Sequence, residues 1–131
     1  MTRAVIVILM APPIEVSPNW HGPWRRRARA VAEFREQAGW ATRAAVNANE
    51  GTIGHFLGNT NLIRLDAEIA WQRGRNQSDP TNAPILLKAA IDGIADVLWN
   101  SRDDHVYLGA VKQTRGDGVT MITLSEGADG R

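Results

Sequence analysis

Hydrophobic and polar positions change their period several times along this chain, and each change marks an element. Arg3 to Met10 is an almost unbroken run of Val, Ile and Leu, which predicts a buried strand. Residues 11–23 contain Pro12, Pro13, Pro18 and Pro23. Proline has no N–H for a helix or ladder, so this stretch predicts an extended loop, and Pro23 suits the first turn of a helix. Beyond it Trp24, Ala28, Val31, Phe34, Ala38, Ala41 and Ala45 recur at steps of three or four, an apolar helical stripe. Arg25, Arg29 and Glu33 fall on another face, where Arg29 and Glu33 predict an i,i+4 ion pair. Gly39 weakens this helix near its middle. Residues 49–61 are rich in Gly and Asn and predict a loop.

From Leu62 to Trp71 the period becomes two. Ile63, Leu65, Ala67, Ile69 and Trp71 point one way, and Arg64, Asp66 and Glu68 the other, the mark of a half-buried strand. Gln72 to Thr81 is polar. Asn82 then predicts an N-cap, with Pro84 in the first turn of a second helix. Leu87, Ile91, Ile94 and Leu98 form its core stripe, and Lys88, Asp92 and Asp96 an adjacent polar one. Val106 to Gln113 and Val119 to Leu124 predict two strands, joined through Arg115-Gly116-Asp117-Gly118 as a hairpin. The β-α-β-α-β-β order predicts a single small α/β (α+β) domain over residues 1–124. It would hold a mixed sheet of about four strands and two helices, with a flexible tail at 125–131.

Composition narrows the function classes. A chain of 131 residues supports one modest core. Hydrophobic residues make up 44% and charged residues 22%, ordinary for a soluble domain. No apolar run approaches the roughly 20 residues of a membrane span, so no membrane partner is expected. Met1 to Met10 lacks a basic leader and a small-residue cleavage site, and reads as a strand rather than a signal peptide. Cysteine is absent, which excludes disulfides and thiolate chemistry and suits a cytosolic protein. His21, His55 and His105 are too scattered to suggest a zinc triad. Net charge is only +1, so affinity for a polyanion must come from distribution. Residues 20–45 carry six arginines against Glu33 and Glu36.

The acidic residues carry the candidate chemistry. Asp79-Pro80-Thr81-Asn82, then Lys88 and Asp92, then Asp103-Asp104-His105 place three sets of carboxylates within 26 residues, Asp79 to Asp104. Carboxylates grouped in this way suit a hard cation such as Mg²⁺, which enzymes use to cut phosphodiesters. A helix over residues 83–98 is about 24 Å long, with Asp79 before it and Asp104 after it. The two carboxylates would then meet either through flanking loops that fold back toward each other or, on the sharper expectation, across a twofold axis between two chains. The same residues also suit structural roles: Asp79 and Asn82 as turn and capping groups, Lys88 and Asp92 as a surface pair, Asp103-Asp104 as a solvated turn, and the arginines as a solvated helix face. Trp20 and Trp24 could stack on unpaired bases, although Trp24 falls on the apolar stripe and reads as core.

Three segments together resemble the RusA family of Holliday junction resolvases. They are Pro12-Pro13 with Ser17-Pro18-Asn19-Trp20-His21 ahead of the Arg-rich helix, Asp79 to Asn82 followed by Lys88 to Gly93, and Asp103-Asp104-His105-Val106 opening a strand. The resemblance spans roughly residues 5–124. It implies a homodimeric, Mg²⁺-dependent endonuclease (Mn²⁺ substituting) that nicks four-way DNA junctions in recombination and repair, in the cytoplasm of a bacterial or phage-infected cell. It implies catalytic Asp79, Asp104 and Lys88, metal contacts from Asp79, Asp104, Asp92 and Asp103, and DNA contacts from Asn19, His21, Arg25, Arg26, Arg27, Arg29 and Asn82. The departure is Thr81, where the family has a second aspartate. Either Asp92 supplies the missing charge, or fewer metals bind, or the protein binds junctions without cutting them.

Overall fold

The computed structural model describes residues 4–48, 63–75, 79–100 and 106–126. Strand β1 (Ala4–Met10) leads to helix α1 (Trp24–Ala48) and strand β2 (Ile63–Trp71). Helix α2 (Ala83–Leu98), strand β3 (Val106–Arg115) and strand β4 (Val119–Glu126) follow. Single 3₁₀ turns at Ile14–Val16 and Pro80–Asn82 punctuate the connections. The result is an α+β domain with two helices and a four-stranded mixed sheet, the class and order that the periodicity predicts. No helix among the described residues is long and apolar enough to cross a membrane.

The sheet order is β1-β4-β2-β3. β2 and β3 run parallel, while β4 pairs antiparallel with both β1 and β2. This corrects the expected hairpin, because β3 and β4 do not pair. The segment Gly116–Gly118 instead crosses the end of β2, where the Gly116 N–H donates to the Trp71 carbonyl at 2.8 Å. Strands two places apart lie roughly 10 Å from each other, a gap that three extended residues can span. Turn chemistry alone does not distinguish the two paths. β4 also continues through Ser125 and Glu126, which pair with Ala4 and Ile63, two residues into the expected tail. Leu62, residues 49–61 and residues 127–131 lie outside the described residues.

Both helices cover one face of the sheet. Val5, Val7, Leu9, Ile63, Leu65, Ile69, Trp71, Ile122 and Leu124 meet Phe34, Ala38, Leu87, Ala90, Ile94 and Leu98 in one core. The helices approach closely at small residues. A Cβ on Gly93 would overlap the Arg35 carbonyl oxygen and stand 2.9 Å from the Ala38 Cβ, so that crossing needs a residue without a side chain. Across the crossing Arg35 grips Asp96 through two hydrogen bonds of 2.7 Å. That contact raises the Arg35 pKa above its ordinary value.

The opposite face is bare, and this revises β1. The strand alternates between exposed and buried positions, with Ile6, Ile8 and Met10 in solvent. It is an edge strand covered on one side only. The stripe of α1 holds from Phe34 onward, but Trp24, Ala28 and Val31 are exposed. Its buried residues are Ala30, Phe34, Ala38, Thr42 and Ala45, so the core side of the helix begins only at Ala30. α2 has the predicted bounds, although Asn82 makes no side-chain cap. The helix closes at Asn100, whose left-handed φ of 52° is a common C-terminal cap conformation.

Candidate nucleic-acid interface and acidic site

The loop ahead of α1 is anchored before the arginines begin. The Ala11 N–H donates to the Gly118 carbonyl at 2.9 Å. Arg75 donates to the Pro12 carbonyl at 3.2 Å and lies over the Trp71 ring at 4.8 Å. Arg27 fixes the last part, donating to the carbonyls of Ser17 at 3.1 Å and Trp20 at 2.7 Å. Its guanidinium is committed to the loop, which makes Arg27 a strut rather than a free phosphate contact. Arg26 and Arg27 also flank the Trp20 ring at 5.4 and 5.9 Å.

The remaining residues of this surface face solvent. Asn19, His21, Arg25, Arg26 and Arg29 are all exposed. Arg26 pairs with Glu15 at 3.3 Å, and Arg25 lies 5.8 Å from the Trp24 ring centre. The Arg29–Glu33 pair that the spacing predicts is not formed, and neither Arg25 nor Arg29 has a carboxylate partner among the described residues. Trp24 is 73% exposed, which corrects its place in the core. The arrangement can attract a polyanion, and it presents one indole without a protein cover.

The acidic residues divide between two places. Asp79 precedes the 3₁₀ turn at the start of α2, exposed at the surface. Its Oδ1 accepts from the Thr81 N–H at 2.9 Å and the Thr81 hydroxyl at 2.8 Å. These two bonds, the backbone one foremost, hold its carboxyl below the usual range. Thr81 therefore orients an ionised Asp79. Lys88 meets Asp92 at 2.9 Å. Asp92 stands nine residues beyond Ala83, about 14 Å along the helix. It cannot share an ion with Asp79 in one chain, so within one chain it does not replace the carboxylate absent at Thr81.

Asp103, Asp104 and His105 lie outside the described residues. Val106, which follows them, pairs with Ile63 at the start of β2. Asp79 belongs to the connection that leaves the other end of β2. The fold thus sets Asp79 and Val106 at opposite ends of α2. No group of three or more Asp, Glu or His suited to a metal occurs among the described residues. Mg²⁺ commonly takes only one or two protein carboxylates and fills its sphere with water and phosphate. An exposed, ionised, oriented Asp79 fits one such position.

A third cluster escapes a reading by motif. On the bare sheet face Asp66, Glu68 and Lys112 line a shallow cleft of about 140 Å³ with Met121 and Thr123. Here β3 carries one extra residue, since Leu65 pairs with Leu108 and Ala67 with Val111. Asp66 closes the bulge by accepting from the Ala110 N–H at 2.7 Å and from Arg64 at 3.0 Å. A Cβ on Gly109 would meet the Asp66 carboxylate and the Arg64 side chain, so a larger residue there would have to displace both. The alternation of β2 signals that Asp66 and Glu68 face outward, but nothing local signals the bulge. Comparison with protein-family models and with curated proteins yields no match.

Proposed function

We propose that this chain is a Mg²⁺-dependent endonuclease of branched DNA, of the kind found in the RusA family, acting as a homodimer in the cytoplasm. The observation that carries the reading is the arginine surface at the start of α1. In a chain of net charge +1, Arg25 and Arg29 stand exposed without acidic partners among the described residues. Such a surface favours a phosphate backbone, whose affinity rests on guanidinium and ammonium contacts. Asp79 supports the catalytic half of the reading, since it is ionised and oriented for a cation. Asp79 with Asp104 would hold the metal, which when bound polarises the phosphodiester and stabilises the departing oxygen. Lys88 would neutralise charge on the phosphate.

The fold also favours a site shared between chains, with Asp79 of one beside Asp104 of the other. The bare sheet face supports a second copy, because Ile6, Ile8, Met10 and Met121 are 41–59% exposed and adjacent in register. A second reading is a junction binder that does not cut. It draws on Thr81, whose hydroxyl is spent on Asp79 in place of a second carboxylate.

The test is a labelled four-way junction with Mg²⁺ or Mn²⁺. Nicking that disappears in Asp79→Asn and in Asp104→Asn supports the enzyme. Tight binding without nicking in either metal supports the binder. A mixed dimer of the two variants then locates the site: one restored cleavage activity means a shared site, and none means sites within single chains.

A further inference from the structure

We propose that Trp24 stacks on an unpaired nucleobase while Arg25 and Arg29 contact the flanking phosphates. The inference rests on the reading that this surface meets nucleic acid. At 73%, Trp24 is the most exposed of the large apolar side chains among the described residues. It stands at the first position of a helix whose buried side begins only at Ala30, so its indole serves no packing purpose in the fold. The loop before it is anchored, because Arg27 ties it to α1 through two carbonyls.

Charge selects the occupant. Arg25 and Arg29 are i,i+4 neighbours on one face; Glu15 is spent on Arg26 at 3.3 Å, and Glu33, a turn beyond Arg29, forms no ion pair with it among the described residues. Arg25 already lies 5.8 Å from the Trp24 ring centre. A flat π surface beside uncompensated guanidinium groups matches a strand that alternates planar rings with phosphates. A paired duplex hides its rings, so the geometry favours the unpaired bases at a branch point or in a single strand. An acidic peptide or an anionic bilayer would satisfy the arginines and leave the ring without a planar partner.

The experiment measures binding of a labelled oligothymidylate, and of the same strand with abasic residues at its centre, in EDTA so that no cleavage intervenes. The native chain should prefer the base-bearing strand by about five- to a hundredfold. Trp24→Ala should erase that preference, leaving affinity for the abasic strand and the salt dependence unchanged. Trp24→Phe should restore part of it. Arg25→Ala with Arg29→Ala should weaken both strands alike and lower the salt slope by about 1.4 for two lost contacts. Equal affinity for the two strands, a preference that survives Trp24→Ala, or tighter binding to phosphatidylglycerol vesicles than to DNA would overturn the proposal. A chain with this base dependence that never nicks a junction removes the nuclease reading alone. A chain that nicks junctions with no base dependence removes the stacking alone.

Discussion

At β1 the two faces of the sheet are built from nearly the same residues and live in opposite environments. Along β1, Val5, Val7 and Leu9 lie beneath the helices at 7% exposure or less, whereas Ile6, Ile8 and Met10 stand 46–59% exposed on the other side. Composition does not separate the two sets. Topology does, since both crossover helices pack on one side and none of the described elements covers the other. The covered face therefore explains stability, and the bare one is free for partners. Its character changes from apolar at β1 to charged at β2 and β3, where Arg64, Asp66, Glu68 and Lys112 gather. The largest challenge to this contrast is Phe34→Ala, which removes a fully buried ring of α1 from the covered side. It should cost about 3–5 kcal/mol in urea unfolding. A loss under about 1 kcal/mol would mean that the helices do not depend on this packing.

Asp66 tests whether the bare face has structure of its own. Asp66→Ala removes the acceptor for the Ala110 N–H and for Arg64. Water can reach this surface, so the expected loss is about 1 kcal/mol, near the ordinary net value of a hydrogen bond. Asp66→Asn keeps an acceptor oxygen and should retain most of the stability. Equal losses in the two variants would show that charge, not bulge closure, is what Asp66 contributes.

What the chain discloses of itself follows the same contrast. The period-two pattern of β2 is legible because Arg64, Asp66 and Glu68 mark the uncovered side. β1 carries no polar residue on either side, so its half-exposure is invisible to hydropathy. α2 is legible to its bounds because small and large apolar residues fill its buried side, while Lys88, Asp92 and Asp96 mark the rest. The early turns of α1 mislead, since Trp24, Ala28 and Val31 keep the helical period yet stand exposed. The β3–β4 connection misleads because Gly116-Asp117-Gly118 suits a tight turn and an arch equally. Asp79 is legible as a turn residue, but not the service of Thr81 to it. The bulge at Gly109 depends on a partner 44 positions away, beyond any local pattern.

The covered face has one blemish. Thr120 is fully buried between Leu9 and Ile69, and its hydroxyl has no hydrogen-bond partner among the described residues. An unpaired hydroxyl out of water is a cost without a return. Thr120→Val keeps the branched shape and removes that group, so it should raise stability by about 1 kcal/mol. A loss of similar size would mean that the hydroxyl finds a partner in solution, and that the covered face is less dry than its burial implies.

The smallest effect on folding should come from Ile8→Ser, and it separates the two faces most directly. Ile8 is 59% exposed and pairs in register with Met121, at the centre of the apolar half of the bare face. If that face only meets water, the substitution should change unfolding free energy by no more than about 0.5 kcal/mol and leave sedimentation unaltered. If a second copy covers it, stability should become concentration-dependent in the native chain, and Ile8→Ser should shift the equilibrium toward monomer. Val7→Ser, one position along the same strand but fully buried, is the control, because it places a hydroxyl in the core and should destabilise the chain at every concentration. Comparing the two by sedimentation and urea unfolding distinguishes an interface from a core. An Ile8→Ser chain that unfolds as easily as Val7→Ser would erase the distinction between the faces altogether.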